Sequence, residues 1–215
     1  SSLAQVAAEA AEETLVVGTD VTDRTAVEAA FAQIRDRFGP LHIAVANAGI
    51  GGPDVMDGED RWADILRTNL DGAYFTMRAF ERHLAPGGEP TQAIVISSCV
   101  ARFGVPGIAA YSTAKAGQLG LVRSLAVELA PKGVRVNAIC PGWVETQMAV
   151  DRMTELAEAD GRPYAEVRGE LLDEVPLQRI SSPEEMAGLV EFLASPAGVG
   201  FTGQAFDPNN GAWMG

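Results

Sequence analysis

Residues 93–140 decide the architecture: Ala93-Ile94-Val95-Ile96-Ser97-Ser98, then Tyr111-Ser112-Thr113-Ala114-Lys115 opening a stretch to Ala130, then Val134-Arg135-Val136-Asn137-Ala138-Ile139-Cys140. The first and last segments are short, apolar and rich in β-branched residues, and each runs into polar or Pro/Gly residues, as buried strands do. Between them Leu119, Val122, Leu125, Ala126 and Leu129 recur at helical spacing, and Pro131-Lys132-Gly133 stops the helix. Strand, helix, strand is the unit of a parallel sheet covered by helices.

The same alternation extends in both directions. Further strands are expected at Leu15 to Asp20, Leu41 to Asn47 and Gln204 to Asp207. Arg24 to Phe38 reads as a helix with Val27, Ala30, Phe31 and Ile34 on its core face and Gly39-Pro40 as its stop. Asp60 to Leu84 is a longer helical stretch carrying Trp62, Ile65, Leu66, Leu70, Ala73 and Met77; Asn69 falls inside it, and Gly72 is expected to mark a bend. Ser182-Pro183-Glu184-Glu185 has a capping-box arrangement that begins a helix to about Ala194. Thr146 to Val175, broken by Gly161-Arg162-Pro163, is expected to form two short helices. The fold class is therefore α/β, a doubly wound, Rossmann-like parallel sheet, with residues 1–215 as a single domain.

Composition agrees with a globular enzyme domain. At 215 residues and 47% hydrophobic, the chain can bury a substantial core. A net charge of −13 without a basic patch argues against nucleic acid and anionic membrane as partners. Cys99 and Cys140 both sit in or beside expected strands and read as small buried hydrophobes rather than a disulfide. His42 and His83 have no acidic or cysteine partners at ligand spacing, so no metal site is expected. The chain contains neither a run of about 18 apolar residues nor a charged-then-apolar leader, and the expected location is cytoplasmic.

Tyr111 and Lys115 are four residues apart, which on a helix stacks phenol and ammonium on one face. A free phenol, with a pKa near 10, is a poor acid or base at neutrality. A positive charge about 4 to 6 Å away is expected to lower it by about two pKa units, into the useful range. Ser98, at the end of its strand, brings a hydroxyl suited to hydrogen-bond a carbonyl oxygen.

With Asn47-Ala48-Gly49 after the strand at Leu41, Asn69 in the long helical stretch, and Pro141-Gly142 after Cys140, this set resembles the short-chain dehydrogenase/reductase family. The resemblance runs from about Leu15 to Gly211. It implies hydride transfer between NAD or NADP and a small-molecule carbonyl or alcohol substrate, with Ser98, Tyr111, Lys115 and Asn69 as the catalytic set. Tyr111 would exchange the proton, Ser98 would hold the same oxygen, and Lys115 would serve both the phenol and the nicotinamide ribose. The Asn69 carbonyl would hold a water beside the lysine. Asp20-Val21 corresponds to the adenine contact and Asn47-Ala48-Gly49 to a close approach to the ribose. Pro141-Gly142, with Val144 and Thr146, corresponds to the turn and hydroxyl at the nicotinamide. More local readings stand beside these: Thr22 or Asp23 as a helix cap, Asn69 as a helix-bending residue, Pro-Gly as an ordinary turn. Residues 146–175 would cover the substrate, and a homotetramer or homodimer is implied.

Two departures from the family are visible. Asn209-Asn210-Gly211 stands where Asp-Gly-Gly is commoner. A glycine-rich phosphate turn is found nowhere in the 215 residues, and Ser1 to Gln5 reads as the middle of a helix. A natural protein with about 30 to 40 further N-terminal residues, carrying a strand, the phosphate loop and a helix, is therefore expected. The functional readings are a ketoreductase or secondary alcohol dehydrogenase of free small substrates, a 3-oxoacyl or polyketide-type reductase, and a non-catalytic binding protein that kept the fold. An intact Asn, Ser, Tyr and Lys set argues against the last.

Overall fold

A computed structural model describes residues 14–85 and 91–215; the expected helix at Ser1 to Gln5 lies outside them. In chain order the strands are β1 Ile43–Ala46, β2 Val55–Met56, β3 Glu59–Asp60, β4 Thr91–Ile96, β5 Val134–Ile139 and β6 Ala205–Phe206. The helices are α1 Arg24–Phe38, α2 Trp62–Leu66, α3 Gly72–Arg82, α4 Ala109–Leu129, α5 Gln147–Asp160, α6 Tyr164–Asp173 and α7 Pro183–Ala194. A π-helical turn, Arg67–Asp71, joins α2 to α3.

β1, β4, β5 and β6 pair in that order, all parallel, with Ile43 opposite Gln92, Ile94 opposite Asn137 and Ala138 opposite Ala205. Because every strand runs the same way, the loops after them emerge at one edge of the sheet, where ligands bind in open α/β folds. α3 and α4 cover one face, burying Met77, Phe80, Leu119, Val122, Leu125 and Leu129 against Ala44, Ala93, Val95 and Val136. α7 covers the other, with Leu193 on Ile94 and Ile139. This is a Rossmann-like doubly wound sheet, and its central strands are buried on both faces, which is why they read as unbroken apolar runs.

Leu15 to Asp20 is not a strand: residues 14–20 carry no ladder. A strand requires a partner, and β1 is bonded to β4 alone among the described residues. Leu15 and Val17 instead line a cleft with Val27, Ala30, Phe31 and Ile34 of α1. The single helix expected over Asp60 to Leu84 is three segments, and the irregularity lies before Gly72, in the π turn. Gly72 itself is helical (φ −60°); a Cβ there would lie 2.8 Å from the Val21 side chain, so its role is close packing. The hairpin of β2 and β3 has no strand expectation behind it. Residues 146–175 do form two helices, α5 and α6, divided at Gly161 in the left-handed region (φ 63°).

Candidate active site

Ser98 follows β4 directly and Tyr111 stands in the first turn of α4, so the parallel strand and the helix returning over it bring the two together. The Ser98 hydroxyl lies near enough to the Tyr111 phenol to favour its phenolate. Lys115, one turn on, is 4% exposed and places Nζ 5.5 Å from the centre of the Tyr111 ring. That ammonium donates to the Ile96 carbonyl at 2.9 Å, while Ser97 Oγ donates to the Lys115 carbonyl at 2.9 Å, locking α4 to the end of β4.

The electrostatics correct one expectation. Burial pushes the Tyr111 phenol up to about 12, with the nearby Ser98 hydroxyl acting the other way. Burial also pushes Lys115 down to about 8. The ammonium is committed to a carbonyl and sits over the ring rather than at the hydroxyl, so desolvation outweighs its attraction for the phenolate. At neutral pH this phenol is protonated, and its readiest act is to give a proton.

Asn69 is fully buried in the π turn. Its Oδ1 accepts from Ile50 N at 3.0 Å and its Nδ2 donates to Ile50 O at 2.9 Å, which pins the loop continuing from Asn47-Ala48-Gly49. A Cβ on Gly49 would lie 2.4 Å from Asn69 Oδ1 and 3.7 Å from Lys115 Nζ, so only glycine lets this loop pack so closely on Asn69 beside the ammonium. The Asn69 carbonyl accepts from Gln118 Nε2 at 2.7 Å.

The remaining expected contacts have local partners as well. Asp20 Oδ1 accepts from Thr22 N, whereas Asp23 caps α1 through Thr25 N and Ala26 N. Pro141 and Gly142 follow β5 at the same sheet edge; a Cβ on Gly142 would meet Asn209 Cα and O at 3.0 Å, so this glycine also serves the C-terminal tail. Val144 forms a bridge with Ser181, and Thr146 caps α5. Asp20 and Val21, on the turn before α1, show no bond to the Ser98, Tyr111 and Lys115 cleft.

Sequence reasoning missed Asp54. α4 begins behind Ile108, which offers no side-chain cap, and the carboxylate of Asp54 fills that place from 55 positions away, accepting from Ala109 N at 2.8 Å and Ala110 N at 2.9 Å. The signal was there as a lack: no Ser, Thr, Asp or Asn precedes the helix, so its free amides required a distant acceptor. Also missed was the Arg102 pair with Asp207, over whose guanidinium the Trp213 ring lies at 4.8 Å, joining the loop after Ser98 to the tail.

The residues fit a nicotinamide nucleotide on the ribose side. Lys115 spends one of its three donors on Ile96, which leaves two for a ribose hydroxyl.

Comparison with known proteins agrees with this geometry. Residues 1–212 match the family model described as enoyl-(acyl carrier protein) reductase. The chain is 36% identical over 197 residues to the 3-oxoacyl-acyl-carrier-protein reductase FabG of Vibrio cholerae, covering 91% of this chain and 76% of that one. It is 37% identical over 199 residues to the L-2,3-butanediol dehydrogenase of Corynebacterium glutamicum, covering 91% and 77%. Among solved structures, an actinorhodin polyketide ketoreductase determined with NADPH superposes with a TM-score of 0.82 at 31% identity, covering 90% and 76%.

Proposed function

The chain belongs to the short-chain dehydrogenase/reductase family, and from that premise we propose that the cleft holding Ser98, Tyr111 and Lys115 is its catalytic centre. The protein is an NAD(P)-dependent oxidoreductase acting on an alcohol or carbonyl group. The bound nicotinamide supplies or accepts the hydride.

In the direction of reduction, Tyr111 gives its proton to the substrate oxygen as that oxygen gains charge, and Ser98 donates a hydrogen bond to the same atom. Lys115 holds the ribose and, once that contact draws the ammonium toward the phenol, favours the phenolate left behind. Asn69 fixes the loop at Ile50 and offers its carbonyl to the proton path. Asn47, Ala48, Gly49, Pro141, Gly142, Val144 and Thr146 would border the nicotinamide and ribose, with Asp20 and Val21 toward the adenine. Residues 146–175 would cover the substrate, and residues 1–215 would act as one domain. The observation that carries this reading is the buried Lys115 ammonium over the Tyr111 ring, on a helix tied to the Ser98 end of β4 through Ser97 and Ile96.

Tyr111→Phe is expected to lower kcat by at least 10² to 10⁴-fold while leaving fold and cofactor affinity nearly unchanged. A variant that kept a tenth of the activity would sink the assignment. Free small ketones, sugars or hydroxy compounds are the preferred substrates. Carrier-bound 3-oxoacyl groups are the second reading, favoured by the FabG relative and opposed by a net charge of −13, which disfavours an acidic carrier protein. Turnover of free ketones against thioester analogues, with NADH and NADPH separately, separates the two. A homotetramer or homodimer in the cytoplasm completes the proposal; among the described residues no helix is long and apolar enough to cross a membrane.

A further inference from the structure

Gln118 lies one turn after Lys115 on α4, is 1% exposed, and has no place in the resemblance. Its two ends behave differently. Nε2 donates to the carbonyl of Asn69 at 2.7 Å, in the π turn where the helical ladder is irregular and a main-chain carbonyl can turn outward. Oε1 is buried and has no hydrogen-bond partner among the described residues. An amide oxygen buried without a partner costs about 1 to 3 kcal/mol, so a lone apolar side chain would have served packing better.

The surroundings say what that oxygen serves. Lys115 Nζ has three protons and gives one to Ile96. Lys115 Nζ and the Asn69 side chain both stand against Gly49, and positions 115 and 118 share a helix face. A carbonyl oxygen can accept two hydrogen bonds, and Gln118 supplies one of those to Asn69. A buried water needs about three polar partners, and Gln118 Oε1, Asn69 O and Lys115 Nζ would supply two acceptors and one donor.

We propose that Gln118 is a positioning residue of the proton path, holding the Asn69 carbonyl with its amide and, with its oxygen, the water that passes protons to Lys115. This rests on Tyr111 being the proton donor. Each reduction moves one hydride from NAD(P)H and one proton from Tyr111 to the carbonyl, leaving an alcohol, oxidised cofactor and a phenolate. The phenolate must regain one proton. Lys115 returns that proton to the phenolate and regains one from solvent through the water at Gln118, so charge and proton count close after each turnover.

Gln118→Met keeps length and burial and removes both bonds. In the full protein it is expected to lower kcat roughly tenfold with KM unchanged, to raise the solvent deuterium isotope effect on kcat, and to move the basic limb of the kcat profile. A purely structural amide would lower the melting temperature and leave isotope effect and profile alone; that result overturns the proposal. A high-resolution crystal structure of the wild-type protein should show a water within hydrogen-bond distance of Gln118 Oε1, and its absence overturns the proposal even if Gln118→Met fails to fold. Retained turnover in Tyr111→Phe would instead remove the underlying reading. An inactive Tyr111→Phe beside a Gln118→Met enzyme of wild-type kcat, isotope effect and profile would remove only the role of Gln118.

Discussion

Lys115 and Lys132 are the only lysines of the chain, which makes the cost of burying Lys115 measurable. Its folded pKa, about 8, lies below the ordinary 10.5, so between those values unfolding takes up a proton and the folded state gains stability as pH rises. The gain is absent below about pH 8 and complete near 10.5. It is bounded by about 3 kcal/mol. The buried thiols of Cys99 and Cys140 and the Tyr111 phenol, all pushed up, act in the opposite sense above about pH 9. The measurement is therefore a difference: chemical denaturation at pH 7 and pH 10 should show a rise in the cofactor-free wild type relative to Lys115→Met, and equal pH dependence in both would refute the buried ammonium. Gly49→Ala tests the neighbouring contact. Its Cβ would displace the Asn69 amide from Ile50, an overpacking that costs about 1 to 3 kcal/mol, to be read from the melting curve.

At the scale of elements, the two best-defined helix starts have different consequences. Ser182 caps α7 within its own box, accepting from Glu185 N while Glu185 bonds Ser182 N. Ser182→Ala should cost about 1 kcal/mol and leave kcat alone. Asp54 caps α4 from the loop between β1 and β2, and α4 carries Tyr111 two residues inside its start. Asp54→Ala should cost about 1 to 2 kcal/mol and also lower kcat several-fold, because the first turn of α4 loses its anchor; calorimetry and steady-state rates on both variants check the contrast. The first cap was legible since all its atoms lie within four residues. The second was not, since its acceptor and donors meet only when the sheet has assembled. The π turn was half legible: an asparagine inside an apolar helix marked an irregularity, but its form depends on Ile50 and Gln118.

For the molecule as a whole, the outer surfaces of α2, α3 and α4 keep apolar groups in solvent: Trp62 is 43%, Tyr74 36% and Val127 78% exposed. They lie on the helices through which the proposed oligomer would form. Val127→Glu is expected to shift the protein to a lower mass in sedimentation at micromolar concentration with its melting cooperativity intact. An unchanged mass would place the interface elsewhere.

The residue order by itself determined the alternation of strand and helix, the bounds of α1, the two helices of 146–175, and which polar residues stand at the ends of the parallel strands. Periodicity and capping are local, written within about ten residues, and a parallel sheet collects its strand ends at one edge. Only the tertiary structure decided that Leu15 to Asp20 has no ladder, that Asp54 starts the helix of Tyr111, that Gln118 takes the Asn69 carbonyl, and that the phenol is driven up rather than down. The last three depend on what lies across a gap in space from residues 19 to 55 positions away, where desolvation and a carbonyl's competition for the Lys115 proton outweigh an attraction inferred from spacing along one helix.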